Sequence, residues 1–504
     1  MTSYSTALNR RKEGSIALLL IGLFIGLSLA TVGRFSPWLD ESYSATLIES
    51  SYSDIIRRTA LDVHPPLYYL LLKTWSEAFG SSVVALRLFS LFCMTNAIVI
   101  AWRMFRRWYG RQRGLLALAG MSVGPFLIRY SQETRMYGLG ALLAMSATYV
   151  FWQLFYSTDD LGKKVRLYVA AYVLLITAAI YTHYFLLFVT VTHLLFLLFN
   201  RTRRVPAQWA ICFGLPVLLF IPWLPIALEQ FRRSTGTSWI PKFMVESVTS
   251  SFVNLLLFRR QYQLSGWSAL LAIVILVSVI VVVVSWYGAG SEEPSEQFLA
   301  KRLSAYLLVI PLLLLIVVSL PPFHPAYQDR YLSFYAPILY GSLALCIAHW
   351  VSRHKGLVAR APVIVIVGAL VAGVVFASVE GNSAGWGRRH FFGMNKIAGF
   401  IRQNDPHSQV VSTSLLTFLD AHIVIGKSMT ARLYTPNGID TYGSASLVFD
   451  RPDLLIKDLS GLKGPHVWLI EESDLQPVKV PSNWYELTHF HRGYARAILF
   501  AIKN

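Results

Sequence analysis

The chain has 504 residues, 55% of them hydrophobic and only 14% charged. Soluble domains carry roughly a quarter charged residues, and a single soluble core does not grow this large, so the surplus apolar surface must face lipid. The formal charge of +18 does not point to nucleic acid, because the bases fall in short runs between apolar stretches, at 10–12, 103–113, 163–166, 201–204 and 352–355. That is the pattern of cytoplasmic loops under the positive-inside rule.

The first apolar run, near 15–33, is too long for a signal-peptide core and has no small-residue cleavage site after it, so it reads as an uncleaved first transmembrane helix. A crossing helix needs about 20 apolar residues. On that criterion further spans are expected near 82–102, 114–129, 137–156, 167–182, 184–200, 207–227, 266–287, 303–320, 332–350 and 361–379, about eleven in all. With the first basic run on the cytoplasmic side, an odd number of crossings places the C-terminus outside and every strongly basic loop inside. The expected membrane is of the bacterial cytoplasmic (inner) type.

The first outer loop, 34–81, holds two stretches with apolar residues at helical spacing, 41–60 and 65–79, which are expected to lie along the membrane surface. It opens on SPWLDESYS. Adjacent carboxylates on a turn cannot both point the same way, so one of Asp40 and Glu41 can face a cavity while the other binds backbone, metal or base. A carboxylate beside an apolar wall loses solvation and becomes a better proton acceptor. Asp40 is also placed to cap the helix that follows. Further along, Asp62 and His64 precede Pro65 and Pro66, which fix the backbone around the histidine. A rigid histidine suits ligand or phosphate contact, although a loop histidine facing water fits the same letters.

At 130–138 the chain reads YSQETRMYG, between the third and fourth expected spans. A plain hairpin needs only Gly, Asn or Ser there. Tyr130, Gln132, Glu133 and Arg135 instead make a polar cluster in which the arginine can clamp a phosphate, or in which Glu133 and Arg135 tie two helices together. His183, in YTHYF, fits interfacial packing or ligation. A second outer loop covers 228–264. The segment 321–337, PPFHPAYQDRYLSFYAP, brings His324, Arg330 and Tyr331 to the start of the tenth span. A cation with aromatics at a membrane edge suits a lipid-linked phosphate, or a snorkelling arginine in an aromatic belt. Ionisable groups from several helix ends, gathered near the apolar boundary, suggest the rim of one outer-face cavity.

From about 385 the charge density becomes ordinary. Strand-like runs (VVSTS, HVWLIEES) alternate with helix-like stretches at 394–404 and 413–424, which predicts a small outer α/β domain over 385–504 beside a membrane domain over 1–384. Cys93, Cys212 and Cys346 all lie in apolar spans without metal or redox spacing. No Gly-rich phosphate loop, CxxC pair or HExxH is present.

Taken in order, the Asp-Glu pair after the first span, D-x-HPPLYY, ALR at the second span, YSQETRMY and a later DRYL followed by AP resemble the glycosyltransferase family 39-like, membrane-embedded GT-C enzymes. These include protein O-mannosyltransferases and the aminoarabinose transferase of lipid A. The resemblance implies a GT-C fold and an inverting transfer of sugar from a polyprenyl-phosphate donor to a glycan, lipid or protein acceptor on the outer face. It implies Asp40 as catalytic base, with Glu41 second. Arg135 and Arg330 then hold the leaving phosphate, helped by Tyr331 and His64, while Tyr130, Gln132, Glu133, His183 and His324 line the cavity. Some members hold a divalent metal near the acidic loop. Here the ligands would be Asp40, Glu41 and His64, and with no DxD the metal is not required. Charge and topology by themselves also allow a transporter or flippase of lipid-linked substrates, or a non-catalytic glycan- or lipid-binding subunit. A transporter, however, calls for ionisable residues near mid-bilayer and related halves, and the expected spans carry almost none.

Overall fold

The computed structural model describes residues 2–157, 162–200, 206–233, 240–257, 266–288, 294–380, 393–426 and 429–503. The basic run at 201–204, parts of the second loop (234–239 and 258–265) and the start of the C-terminal segment up to 392 lie outside the described residues. The chain divides into two compact units. A membrane unit comprises Met1–Thr31, Arg87–Leu228 and Thr237–Glu380, and a loop–sheet unit comprises Val32–Leu86, Glu229–Gly236 and Gly381–Asn504.

Among the described residues nine helices are long and apolar enough to cross a membrane. They correspond to nine of the expected spans. The other two take different forms. The stretch expected at 114–129 is two helices, Arg111–Ser122 and Pro125–Tyr130. Pro125 begins the second of these, where its missing N–H costs nothing. Gly124 lies so close to the Tyr340 ring that a Cβ there would stand 2.7 Å from a ring carbon. The Tyr340 hydroxyl accepts from Phe126 N–H at 3.1 Å and donates to the Leu255 carbonyl, fixing the break. The stretch expected at 184–200 is a 3₁₀ turn, Tyr184–Leu186, followed by the shorter helix Leu187–Phe199.

Backbone polar groups in a lipid-facing fold must be satisfied within the protein, and some buried side chains of the membrane unit are paired in the same way. His193, fully buried, contacts Thr148 at 3.1 Å and the Tyr172 hydroxyl at 2.9 Å, and its ring stacks on Phe151 with centroids 4.1 Å apart. Glu13 is paired by Arg106 and Arg111.

The loop–sheet unit carries the three helices Leu39–Leu47, Tyr52–Ala60 and Leu67–Phe79 from the first loop. The expected 41–60 stretch is therefore broken in two. Its sheet has six strands: β1 (Gln409–Ser412), β2 (Ala431–Tyr434), β3 (Leu455–Ile456), β4 (His466–Glu472), β5 (Trp484–Arg492) and β6 (Ala495–Ile502). The order is β3-β2-β1-β4-β6-β5. The first four run parallel, and β6 joins β4 and β5 antiparallel. The helices Met394–Asn404 and Leu415–Ile425 stand where helical spacing predicted them. Val411, Val467, Leu469, Ile498 and Phe500 form the core under one sheet face.

Candidate functional site

In the loop–sheet unit the acidic pair lies inside a helix. Trp38 is the N-cap of Leu39–Leu47, and Asp40 and Glu41 occupy its first turn, so Asp40 is not the cap that its place before ESYSATL suggested. A helix N-terminus favours negative charge in that turn. Asp40 is half-buried, whereas Glu41 is 1% exposed. Tyr43 from the same helix meets Tyr69 edge-on at 5.9 Å, and Tyr69 meets Tyr68 at 5.2 Å. The tyrosine pair of HPPLYY thus forms a wall for the acidic helix. His64 sits in the turn before the prolines, with Nδ1 3.4 Å from the Asp62 carboxylate and a side chain 15% exposed. Among the described residues no group of three or more His, Cys, Asp or Glu is gathered to hold a metal ion. The set Asp40, Glu41 and His64 does not form a cluster of that kind, and no step below passes through a metal.

Two segments come together in the membrane unit. The turn 131–136 joins Pro125–Tyr130 to the helix Tyr137–Phe155, and Ser131 to Arg135 are all buried. Thr31 donates to Gln132 Oε1 at 2.7 Å, Ser131 donates to Ser28 at 2.9 Å, and Ser90 donates to the Glu133 carbonyl at 2.5 Å. The Glu133 carboxylate pairs with Arg129 at 3.0 Å. The helix Tyr137–Phe155 packs on the 3₁₀ helix Asp329–Tyr335, which carries Arg330 and Tyr331. Tyr130 and Tyr137 meet edge-on at 4.9 Å. Tyr130 lies within electrostatic reach of Asp329, Glu133 and Arg129, and Tyr137 within reach of Arg330, Glu133 and Arg135.

Asp329 accepts from Asn254 at 2.6 Å. Among the described residues the buried guanidinium groups of Arg129, Arg135 and Arg330 and the buried carboxylates of Glu133 and Asp329 belong to this group. His183 joins it from the end of Val165–Thr182. Its ring stands 4.9 Å from Tyr331 and 5.4 Å from Phe334, and its Nδ1 accepts from Phe185 N–H at 3.2 Å. His324 is half-buried in the irregular stretch ahead of Asp329.

Of the residues singled out in the sequence, Tyr130, Gln132, Glu133, Arg135, His183, Arg330 and Tyr331 therefore gather within the membrane unit, while Asp40, Glu41 and His64 belong to the loop–sheet unit. Sequence reasoning missed Arg129 and Asn254. The i,i+4 spacing of Arg129 from Glu133 on a helical turn is a signal for the first. Nothing local marks Asn254, which a tertiary contact alone brings to Asp329.

Nine candidate spans among the described residues, with a small sheet domain, are the architecture of a polytopic integral membrane protein. Residues 63–226 match the sequence model of the family described as dolichyl-phosphate-mannose-protein mannosyltransferase. In fold the chain is similar to ArnT from Cupriavidus metallidurans in the apo state, with a TM-score of 0.59 at 12% identity, covering 98% of each chain. The same protein bound to undecaprenyl phosphate gives 0.57 at 11% identity, covering 96% of this chain and 97% of that one. The archaeal oligosaccharyltransferase AglB from Archaeoglobus fulgidus, in complex with an inhibitory peptide and a dolichol-phosphate, gives 0.52 at 9% identity, covering 92% of this chain and 70% of that one. No curated protein matches the chain in sequence. The GT-C fold that the ordered motifs implied is the fold found, and the family model matches across HPPLYY, ALR and YSQETRMY of those motifs.

Proposed function

We propose that the protein transfers a sugar from a polyprenyl-phosphate donor to an acceptor on the outer face of the cytoplasmic membrane, with inversion at the anomeric carbon. The observation that carries this reading is the group of buried arginines and aromatic rings that the membrane unit gathers. Guanidinium groups among aromatic rings suit a phosphate carried on a lipid. A phosphate on a lipid tail is an anion that reaches such a site from the bilayer, and ArnT is similar in fold and has been solved with undecaprenyl phosphate.

In this reading Asp40 takes the proton from the acceptor hydroxyl or amine as that group attacks the anomeric carbon. The bond to the phosphate oxygen breaks, and polyprenyl phosphate leaves with the electron pair. Negative charge grows on the leaving oxygen, so fixed guanidinium groups at Arg135 and Arg330 stabilise the transition state more than the ground state. Tyr331 and His183 wall the phosphate side. Glu41, more deeply buried than Asp40, orients the acidic helix.

The reading is tested by native mass spectrometry of the purified protein with undecaprenyl phosphate, and by transfer from the lipid-linked sugar fraction extracted from host membranes. Arg135→Ala and Arg330→Ala should each weaken binding of undecaprenyl phosphate about ten- to a hundredfold, the worth of one charge-assisted pair. Asp40→Asn should bind it as the unmodified protein does and lose transfer. Full transfer in Asp40→Asn would sink the base assignment, and unchanged binding in both arginine variants would sink the donor site.

A further inference from the structure

The C-terminal sheet domain reaches the acidic helix with a buried carboxylate of its own. We infer that Asp420 is a positioning residue for the Asp40–Glu41 pair, acting through Ser42 from the helix Leu415–Ile425. The inference rests on the reading of Asp40 as base, and it assigns the C-terminal domain a part in that same chemistry.

The contact is specific. Ser42 is fully buried, and its hydroxyl donates to Asp420 Oδ1 at 2.5 Å. The other oxygen, Oδ2, accepts from the Tyr494 hydroxyl in the turn entering β6. Asp420 is 2% exposed. Two residues of one helix thus hold the acidic segment, because His422, two positions on, reaches Glu49 at 3.0 Å just beyond the end of Leu39–Leu47. The two helices pack against each other between these points.

A helix of nine residues has little stability of its own, so its roll about its axis must come from outside. Successive helical residues turn by about 100°, which sets Asp40 roughly 200° around from Ser42. Tying Ser42 to the sheet domain therefore turns Asp40 to the opposite side, in keeping with a buried Ser42 and a half-buried Asp40. A leucine at 420 would pack without the desolvation cost of a buried carboxylate. The carboxylate supplies what a leucine lacks, a directional acceptor that selects one rotation of the helix. Burial pushes the Asp420 carboxyl up to about 7, the Ser42 and Tyr494 hydroxyls pull it back, and the nearby Glu41 and Glu472 push it further up. Those two acids, with Tyr494, are the titratable groups facing it from the acidic helix and the sheet.

The test uses the full chain in lipid nanodiscs. Hydrogen exchange over residues 39–47 should quicken about five- to tenfold in Asp420→Ala and in Ser42→Ala, with β4 and β6 unchanged, and stay near the unmodified rate in Asp420→Asn, which keeps an acceptor for Ser42. Should Asp420→Ala unfold the sheet, Ser42→Ala decides, since it leaves the domain side intact. Unchanged exchange over 39–47 in Ser42→Ala overturns the inference. In transfer from the extracted lipid-linked sugar fraction, kcat should fall about tenfold or more in both alanine variants with donor KM held within about twofold, and Asp420→Asn should recover most of it. A raised KM with kcat intact overturns the positioning role. A fully active Asp40→Asn would remove the base assignment while leaving the exchange result in place, so the two failures are distinguishable.

Discussion

Glu133 shows how much a single letter can hold. Its carboxylate is 1% exposed and faces Arg129, itself buried, at 3.0 Å, while its carbonyl takes the Ser90 hydroxyl. Breaking a buried pair from one side leaves the other charge in low dielectric, which costs about 3–5 kcal/mol. Glu133→Gln should therefore lower the unfolding midpoint of the detergent-solubilised protein by an amount of that order, and a midpoint unchanged within error would show that the pair is held by other groups. The sequence flagged Glu133 and paired it in thought with Arg135. The structure pairs the carboxylate with Arg129, at the end of Pro125–Tyr130, while the Arg135 backbone N–H donates to the Glu133 carbonyl at 2.7 Å across the turn.

Helix contacts in the membrane unit depend on small residues where backbones approach. Gly120, in Arg111–Ser122, faces the helix Ala336–Arg353 so closely that a Cβ would stand 2.7 Å from the Tyr340 carbonyl oxygen and from the Ala344 methyl. Such contacts are typical of helices associating in lipid, where packing replaces the hydrophobic drive. Gly120→Val should force these helices apart and cost about 1–3 kcal/mol. Gly399, in the helix Met394–Asn404, has nothing within 4 Å of a built Cβ, and Gly399→Ala should be neutral or stabilise by up to about 1 kcal/mol. Thermal unfolding of the two variants side by side checks both, and equal midpoints would contradict the packing argument. Of these two sites, the sequence offers no way to tell which glycine is pressed and which is open, since that depends on the partner helix.

At the scale of the whole molecule, the first-loop segment and the C-terminal segment share one compact unit, although the chain between Leu86 and Gly381 lies almost wholly in the other unit. Arg58, buried, donates to Asp450 at 2.8 Å and to the Ser446 carbonyl, Gly443 N–H donates to the Leu61 carbonyl at 2.9 Å, and Arg233 lies over the Tyr442 ring at 3.9 Å. The stability of this unit should depend on pH through Asp420. Its carboxyl is raised in the folded state from 3.8 to about 7, so the native state holds this proton more tightly than the unfolded chain. The contribution is fully present below about pH 4 and is lost as pH rises through about 7, a change on the order of a few kcal/mol. Hydrogen-exchange protection of β4 and β6 should therefore weaken between pH 5 and pH 8, and Asp420→Asn should flatten that trend. An equal slope in the variant would assign it to another group.

Membrane class, most spans and the C-terminal alternation of strand and helix were legible in the letters. Each rests on composition or on local period: long apolar runs, helical spacing at 394–404, a strand-like run at 466–472. So were the chemically suggestive residues, because ionisable groups near lipid stand out against an apolar background. Tertiary structure alone decided how they were grouped. Arg129 with Glu133, Asn254 with Asp329, and Asp420 beneath the SPWLDESYS helix are contacts set by packing. The last two join residues 75 and 378 positions apart, and no local pattern carries that distance. Asp420 itself reads in the sequence as an ordinary acid within LLTFLDAHIVI, and only its burial against Ser42 and Tyr494 marks it out.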